Sequence, residues 1–435
     1  MREMKDSGID WIGNIPKEWN IIPIRYLVGD CFSGSWGDDP QNSEYDLECL
    51  RIADFDFDKL TFKSNIEYTR RNYSLTDIAT KALKYGDLCI EKSGGGDKTP
   101  VGRTVIFRGY SPVLFANFLN CIRLNHLCHI EFGKYLFAIS YYNGVTRLYL
   151  NQTTGIQNLN IQKYFREVSF PVPAIQEQKR IASFLDSKCS EIDYITTDIR
   201  KEIETLQEYR KSMITEAITK GLDPNVEMKD SGIVWIGMIP KHWEVNKIKY
   251  NLHREDLKNP GEMPVLSLYR DYGVIPKDSR DDNHNVTSED ISKYKYVKKG
   301  SFVINKMKAW QGSVAVSEYQ GVVSPAYYVY KFDSSTINKD YFHYLMRSCY
   351  KDEFRRLSGG IREGQWDLAS EDLDNTLIII PPLNEQKQIV LYIDSKCYEI
   401  DSIIEDKQNQ LATLAEYRKS LIYEYVTGKK EIPAV

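Results

Sequence analysis

The sequence contains two copies of the same ordered set of segments. Residues 4–19 and 228–243 agree at thirteen of sixteen positions, and residues 177–193 and 385–401 form a second matched pair. The offsets are 224 and 208, so the segments between the matched blocks differ in length. Two copies are too few for a solenoid, which needs at least about three. The duplication therefore predicts two pseudo-symmetric halves that have similar ends and dissimilar middles.

The second matched pair opens two long amphipathic segments, residues 175–219 and 383–427. Apolar residues recur in both at spacings of three and four, which is typical of a helix. Prolines precede both segments, and Gly221 and Gly428 follow them, as at many helix boundaries. Neither helix can bury its apolar stripe alone, so we expect the two to pack as an antiparallel coiled coil. The alternative is that each helix folds back on its own globular domain.

The segments between these blocks read as mixed α/β, so the expected fold class is α+β. Strand-like runs occur at residues 88–90, 104–107 and 377–380, and Gly-rich or Pro-Gly turns separate such runs. We expect two pseudo-symmetric globular domains joined by the two long antiparallel helices. The predicted boundaries are 1–174 for the first globular domain, 175–220 for the central helix, 221–382 for the second globular domain and 383–435 for the distal helix.

Composition excludes some classes of protein and weakens others. The net charge of −4 and the pI near 6.0 argue against a strongly basic nucleic-acid binder, so evidence for DNA binding must be local. No apolar run approaches the ~20 residues that span a bilayer, and the charged N-terminus predicts no secretory signal. Eight cysteines without a CxxC pair indicate free thiols in a reducing compartment. We therefore expect a cytoplasmic protein.

No motif for catalysis or metal binding is complete. The glycine-rich run at residues 93–99 lacks the GxxxxGK[ST] spacing of a phosphate-binding loop. Cys121, His126, Cys128 and His129 lie close in sequence, but no second ligand pair completes a zinc site. No GxGxxG follows a strand. We expect a chain that recognises rather than reacts, with no catalytic residue and no metal ligand.

The helix openings and one strand element carry a family resemblance. Residues 171–178 read PVPAIQEQ and residues 381–386 read PPLNEQ, and each run opens one long segment. Residues 85–94 read YGDLCIEKSG, and residues 299–306, KGSFVINK, are a looser counterpart. These motifs resemble those of the specificity subunits of type I restriction–modification systems, and the resemblance covers nearly the whole chain.

The resemblance implies a division of labour between this chain and its partners. Each variable segment would be a target-recognition domain that reads one half of an asymmetric, bipartite site in double-stranded DNA. The helices would dock two methyltransferase subunits, and restriction subunits would join the same assembly. S-adenosylmethionine, ATP and magnesium would belong to those partners, so no cofactor is expected here. A coiled-coil scaffold with two protein-binding heads is the alternative, since the charge is near neutral and the heads are rich in tyrosine.

Local charge and side-chain chemistry suggest which residues meet DNA. Residues 293–308 carry six lysines and no acid, and residues 81–108 carry six basic and three acidic residues. Such stretches can supply phosphate contacts, although lysine runs are also common on solvated surfaces. Arg, Asn and Gln can read base edges through paired hydrogen bonds. The candidates are Lys92, Lys98, Arg103, Arg147, Asn151 and Gln152 in the first domain, and Lys298, Lys299, Lys306, Lys308, Gln311, Arg362 and Gln365 in the second.

The tryptophans of the first repeated motif have an expected structural role. Trp11 and Trp19, with Trp235 and Trp243 in the second copy, are expected to anchor the chain on each domain by hydrophobic packing. Direct docking of a partner on these residues is the alternative. Trp310 could stack near a DNA groove or lie in the core.

Overall fold

The computed structural model of the chain describes residues 2–64, 67–96, 98–110, 112–153, 155–270, 272–280, 287–288, 290–360 and 366–433. Two compact units make up the fold. Unit 1 contains residues 1–200 and 408–435, and unit 2 contains residues 201–407. Each unit thus contains one globular part and portions of both long helices.

Unit 1 combines short strands with three short helices and portions of the two long helices. The strands are β1 (Met4–Asp6), β2 (Asn14–Pro16), β3 (Asn20–Pro23), β4 (Val28–Ser33), β5 (Asp46–Leu50), β6 (Phe55–Asp56), β7 (Thr61–Phe62), β8 (Thr69–Asn72), β9 (Leu88–Glu91), β10 (Ser93–Gly94), β11 (Thr104–Ile106), β12 (Leu114–Phe115), β13 (Leu119–Leu124), β14 (Leu150–Thr153), β15 (Ile156–Leu159) and β16 (Ser169–Val172). The helices are α1 (Leu75–Lys81), α2 (Ile130–Tyr142), α3 (Ile161–Glu167) and α4 (Ile175–Lys220), whose last part belongs to unit 2.

Unit 2 repeats this plan with fewer strands. They are β17 (Met228–Asp230), β18 (Met238–Pro240), β19 (Glu244–Lys247), β20 (Leu252–Arg254), β21 (Leu266–Tyr269), β22 (Gly273–Pro276), β23 (Lys295–Val297), β24 (Phe302–Asn305), β25 (Val314–Val316), β26 (Gly321–Val323), β27 (Tyr327–Phe332), β28 (Ser358–Gly359), β29 (Asp367–Leu368) and β30 (Leu377–Ile380). The helices are α5 (Lys339–Cys349), α6 (Lys351–Leu357), α7 (Ser370–Asn375) and α8 (Leu383–Val426), whose last part belongs to unit 1.

The bounds of α4 and α8 agree to within one residue at each end with the amphipathic segments 175–219 and 383–427, whereas α8 ends before residue 435, the predicted limit of the distal helix. Gly221 and Gly428 follow the helices with φ of +75° and +72°, a conformation that side chains with a Cβ disfavour. Both glycines also lie against a tryptophan. A Cβ at Gly221 would lie 3.2 Å from the ring of Trp243, and one at Gly428 would overlap Pro16. The glycines therefore end the helices and allow the first repeated motif to pack against them.

Within unit 1, the start of α4 runs antiparallel to the end of α8. The ring of Phe184 lies 4.6 Å from that of Tyr425, and the Asp193 carboxylate pairs with the Arg418 guanidinium. Residue numbers rise along one helix as they fall along the other.

Unit 2 shows the same antiparallel arrangement between the end of α4 and the start of α8. Arg210 pairs with Asp401 at 3.4 Å, and Lys407 donates to Glu202. Arg210 and Asp401 are the repeat counterparts of Arg418 and Asp193, since each position differs by 208. The prediction of two long antiparallel helices is confirmed.

The central sheets of the two units share a strand order. In unit 1 the six-stranded sheet has the order β4-β13-β9-β11-β7-β6. In unit 2 the four-stranded sheet has the order β20-β27-β24-β25. The strands β4-β13-β9-β11 of unit 1 therefore correspond in order to β20-β27-β24-β25 of unit 2. Neighbouring strands within each of these sets are antiparallel. Unit 1 extends its sheet with β7, which is parallel to β11, and with β6. This is the predicted pseudo-symmetric α+β fold.

The first repeated motif forms the same hairpin in both units. Strands β1 and β2 pair with Met4 opposite Pro16, and β17 and β18 pair with Met228 opposite Pro240. The strand after each hairpin then pairs with the strand that leads into a long helix, β3 with β16 and β19 with β30. Each hairpin is thereby tied to the base of one long helix.

Each unit has its largest hydrophobic core where the sheet, the helix pair and α2 or α5 meet. Trp19 and Trp243 are fully buried there, as predicted. Trp11 is partly buried against the core of unit 1. Trp235 differs from the prediction because it is 40% exposed, with its ring edge-on to Tyr350. Over the described residues, no helix combines the length and apolarity required to cross a membrane.

Candidate nucleic-acid interface

The glutamate of the Glu-Gln motif attaches each long helix to the hairpin motif. Glu177 accepts a hydrogen bond from the indole N–H of Trp19 at 3.3 Å. Glu385 accepts the equivalent bond from Trp243 at 3.0 Å. Both glutamates lie in the first turn of a helix, where negative charge is favourable. The repeated tryptophan and glutamate thus form one linked feature.

The glutamine of the motif attaches the same helix start to the recognition domain. In unit 1, Gln178 is buried, and its Oε1 accepts a hydrogen bond from the backbone N–H of His129 at 2.7 Å. Its Nε2 donates to the carbonyls of Leu127 and Pro173, both at 2.9 Å. Three backbone groups next to α2 and α4 are satisfied by one side chain.

Gln386 makes the same three contacts in unit 2. Its Oε1 accepts from the N–H of Asn338 at 2.7 Å, and its Nε2 donates to the carbonyls of Thr336 and Pro381 at 3.0 and 2.8 Å. In the sequence, the Glu-Gln pair is recognisable as a family signature, but its anchoring role was not predicted. The signal was present, since the pair and the buried tryptophan recur together in both copies.

Lys92 extends from the end of the central strand of unit 1. It follows β9, its N–H donates to the carbonyl of Phe118 at 2.8 Å, and its own carbonyl accepts from Leu159 at 2.8 Å. These bonds join the six-stranded sheet to the small sheet of β10, β15 and β14. The Lys92 ammonium donates to the hydroxyl of Ser33 at 2.9 Å.

Lys306 holds the corresponding position in unit 2. It follows β24, its N–H donates to the carbonyl of Ala326 at 3.1 Å, and its carbonyl accepts from Leu368 at 3.1 Å. Gly86 and Gly300 precede the two strands with φ of +91° and +86°, so the turns before the strands also match. The two lysines therefore mark equivalent places on the two recognition domains.

Three further candidates of the first domain lie in neighbouring segments, Lys98 and Arg103 on loops and Arg147 on a short 3-10 helix. Arg103 and Arg147 both lie near Tyr141. Burial raises the pKa of that phenol, and the two arginine charges oppose the rise. The loop that contains Lys98 also joins this group, because the Tyr141 hydroxyl donates to the carbonyl of Pro100 at 3.2 Å. Lys98 and Arg147 are exposed.

Arg103 is held by an ion pair. Its Nε and Nη2 donate to the two carboxylate oxygens of buried Glu91 at 2.9 and 3.1 Å, and its guanidinium stacks over the ring of Phe57 at 3.9 Å. Such a paired arginine is fixed in direction. A base contact by Arg103 stays a prediction.

Asn151 and Gln152 lie on β14, which pairs with β15. Asn151 is exposed and opposite Asn158, whose Oδ1 accepts from the hydroxyl of Ser93 at 2.6 Å. Gln152 is opposite Gln157 in the strand register. β14 directly follows the segment that contains Arg147, and Leu159 at the end of β15 donates a hydrogen bond to the carbonyl of Lys92. The candidates of the first domain therefore lie in one region.

The candidates of the second domain fall into two groups. Lys298 and Lys299 precede β24, whereas Lys306, Lys308 and Gln311 follow it. Four strand residues span about 13 Å, so the lysine-rich segment places its charges at opposite ends of the strand.

Acidic partners compensate much of the charge of this segment. Lys298 pairs with Glu255 at 3.0 Å, and Lys299 pairs with Glu318 at 3.3 Å. The strongest influence on Lys306 is its hydrogen bond to Asp367 at 2.8 Å, which raises the pKa of the ammonium. The partners are distant in sequence, so the segment is less positive in the fold than its sequence suggests.

An aromatic pair lies beside the second group. The rings of Trp310 and Trp366 are 5.5 Å apart and edge-on, and the Trp310 indole donates to the carbonyl of Met307 at 3.2 Å. Gln311 accepts a hydrogen bond from Arg270 at 3.4 Å. The candidates Arg362 and Gln365 lie outside the described residues.

The cysteines and histidines near residue 125 do not gather into a metal site. Over the described residues, no group of three or more His, Cys, Asp or Glu side chains has the geometry to hold a metal ion. Cys128 is buried, and burial raises the pKa of its thiol to about 12. Cys121 and Cys128 belong to two separate hydrophobic cores, whereas His126 is exposed.

Comparison with known proteins identifies relatives over the whole chain. The family model described as the type I restriction modification DNA specificity domain matches residues 52–205 and 240–413, once in each copy. The type I restriction enzyme MjaVIII specificity subunit of Methanocaldococcus jannaschii is 28% identical over 296 residues, which cover 63% of this chain and 65% of that protein. The MjaIX specificity subunit of the same organism is 24% identical over 464 residues, 99% of this chain and 97% of that one.

A solved structure has the same fold. Its chain comes from work on complex assembly and conformational transition of the type I restriction–modification system. It aligns with a TM-score of 0.66 at 14% identity, over 96% of this chain and 99% of that chain.

Proposed function

This chain belongs to the family of type I restriction–modification specificity subunits, and we propose that each of its two target-recognition domains reads one half of an asymmetric, bipartite site in double-stranded DNA. The observation that carries the proposal is the matched position of Lys92 and Lys306. Each lysine follows the equivalent central strand of its unit and makes the equivalent backbone hydrogen bonds, whereas the side chains around the two lysines differ. The proposed recognition domains are residues 1–174 and 221–382, and the proposed helical segments are 175–220 and 383–435.

The difference between the domains favours an asymmetric site. Identical readers related by a twofold axis bind a palindrome, because each half-site meets the same surface. Here the first domain has a three-stranded sheet beside its lysine, and the second has a tryptophan pair. Unlike surfaces favour unlike half-sites.

Phosphate and base contacts are assigned to different candidates. Lys98 and Lys308 are exposed and suit phosphate contacts, which position a protein without reading sequence. Arg147, Asn151 and Gln311 carry the groups that can make paired hydrogen bonds to base edges. Since the net charge is −4, we expect partner subunits to add much of the total affinity.

The proposed assembly contains this chain, two methyltransferase subunits and restriction subunits. The antiparallel portions of α4 and α8 offer one equivalent surface in each unit, which suits two copies of one partner. Methylation and cleavage would take place on the partners, which would bind S-adenosylmethionine, ATP and magnesium. In this proposal the chain is a cytoplasmic, non-catalytic recognition subunit. A scaffold with two protein-binding heads is not favoured, because the family match covers both copies.

The test is long-read methylation mapping of a host that expresses this chain with its methyltransferase partner. The proposal expects one new methylated motif made of two different half-sites separated by an unspecified spacer. A palindromic motif, or no motif from a soluble assembled complex, would contradict it.

A further inference from the structure

A surface cavity of about 470 Å³ lies beside the lysine of the first recognition domain. Its walls are mostly apolar and include Trp36, Ile52, Ala116 and Phe118. Ligand-binding cavities of proteins commonly have this size and an apolar lining with few polar groups. None of these residues was a candidate from the sequence.

The two aromatic walls are partly open to solvent. Trp36 is 40% exposed and Phe118 is 48% exposed. The Arg71 guanidinium lies 4.8 Å over the Trp36 ring, and its Nε donates to the Trp36 carbonyl at 3.2 Å. The cation–π contact favours the indole position observed at the cavity wall. Exposed apolar surface of this kind often marks a contact with another molecule.

One cavity residue, Phe118, is hydrogen-bonded to the candidate interface. The carbonyl of Phe118 accepts hydrogen bonds from the N–H groups of both Lys92 and Ser93, at 2.8 and 3.2 Å. Ser93 in turn bonds Asn158, which is paired with Asn151 across the small sheet. DNA that contacts Lys92 and Asn151 would therefore lie close to Phe118, which lines the cavity.

The apolar walls of the cavity are suited to contact an apolar group of DNA. Base edges in the major groove present polar donors and acceptors, and the apolar exception is the 5-methyl group of thymine. Arg51, at the edge of the cavity, is bound to Asp54 through Nε and Nη2 at 3.3 and 3.1 Å. Asn117 also lines the cavity, and its amide suits paired hydrogen bonds to adenine.

We infer that this cavity reads an A·T base pair of one half-site through contact of its apolar walls with the thymine 5-methyl group. The inference rests on the proposed function and adds a specific base to it. In the second domain Ala326 occupies the backbone position of Phe118, so that position has no aromatic side chain. The cavity therefore also contributes to the difference between the half-sites.

The experiment uses the assembled complex and the site found by methylation mapping. Binding is measured to DNA in which uracil replaces thymine in each half-site in turn, since uracil lacks only the methyl group. For one half-site we expect about fourfold weaker binding for each contacted methyl. The Phe118→Ala complex should bind thymine and uracil versions of that half-site equally. The matched control is Tyr110→Ala, which removes a 93% exposed aromatic outside the cavity and should keep the discrimination.

Two results would overturn the inference. One is a wild-type complex that binds the thymine and uracil versions equally in both half-sites. The other is a Phe118→Ala complex that keeps the full wild-type discrimination. In both cases a specific bipartite motif would still support the proposed function, whereas loss of any specific motif would defeat both.

Discussion

At the scale of single residues, one buried glutamine in each unit connects the recognition domain to its long helix. A buried amide that makes three hydrogen bonds to backbone groups fixes the direction in which the chain enters the helix. Gln178 and Gln386 do this in the same way, each joining the loop before α2 or α5 to the proline-containing start of α4 or α8. The repeated Glu-Gln pair is thus explained by structure rather than by contact with DNA.

We predict that Gln386→Ala destabilises unit 2. The change removes the partner of the Asn338 N–H and of two carbonyls, and unsatisfied buried groups cost about 1–3 kcal/mol each. The midpoint of urea unfolding of the full chain measures the effect. Gln388→Ala, on the exposed side of the same helix, is the control and should shift the midpoint little. Equal midpoints for the two variants would contradict the proposed anchoring role.

A second prediction at this scale concerns His343 on α5. Burial, with a smaller contribution from Arg347, lowers the pKa of its imidazole to about 4, and its Nδ1 accepts a hydrogen bond from the N–H of Val316 at 3.1 Å. In the unfolded chain the His343 imidazole protonates near pH 6.5. Between about pH 6.5 and 4 the unfolded chain therefore binds more protons at this residue than the folded chain does. The stability from neutral His343 is therefore complete above pH 6.5 and is lost as the pH falls toward 4, by up to ~3 kcal/mol.

The measurement compares urea unfolding of the wild type and His343→Asn between pH 7 and pH 4. Asparagine can keep an acceptor for Val316 but does not titrate in this range. We expect a smaller loss of stability on acidification for the variant. An identical pH dependence would show that His343 is not the responsible group.

At the scale of elements, two ion pairs join α4 to α8. They occupy equivalent positions of the repeat but differ in burial. Asp193 pairs with Arg418, whose side chain is only 10% exposed, whereas both members of the Asp401–Arg210 pair are about half exposed. Removing one partner of a buried pair leaves an uncompensated charge, which costs far more than losing a surface pair.

We predict that Asp193→Ala destabilises unit 1 by about 3 kcal/mol and that Asp401→Ala costs less than about 1 kcal/mol. Each substitution serves as the control for the other, because the residues occupy equivalent positions of the repeat. Thermal unfolding of the full chain, monitored by circular dichroism, reports both. Equal losses would contradict the difference in burial.

The helices could be predicted from sequence because their signals are local. Apolar spacing, Pro173 and Gly221 indicate the limits of α4 without any tertiary information. The surroundings of the lysines could not be predicted in this way. Lys299 and Lys306 meet Glu318 and Asp367, which lie 19 and 61 residues further along the chain. Only the folded sheet brings these charges together.

At the scale of the whole molecule, duplication gives one chain two versions of one fold. Strand order, hairpin motif and helix anchors agree between the units, and the surfaces beside Lys92 and Lys306 differ. The resemblance of the motifs was sufficient to predict the family and the α+β architecture. It was not sufficient to find the cavity of Trp36 and Phe118, because these residues are 82 positions apart and neither belongs to a repeated motif.

Methylation mapping of two matched variants tests the central claim most directly. One variant carries Arg147→Ala and Asn151→Ala in the first domain, and the other carries Lys308→Ala and Gln311→Ala in the second. If each domain reads its own half-site, each variant should relax or change one half of the motif and keep the other half, and the two variants should affect opposite halves. Changes in both halves by either variant, or changes in the same half by both, would contradict the claim.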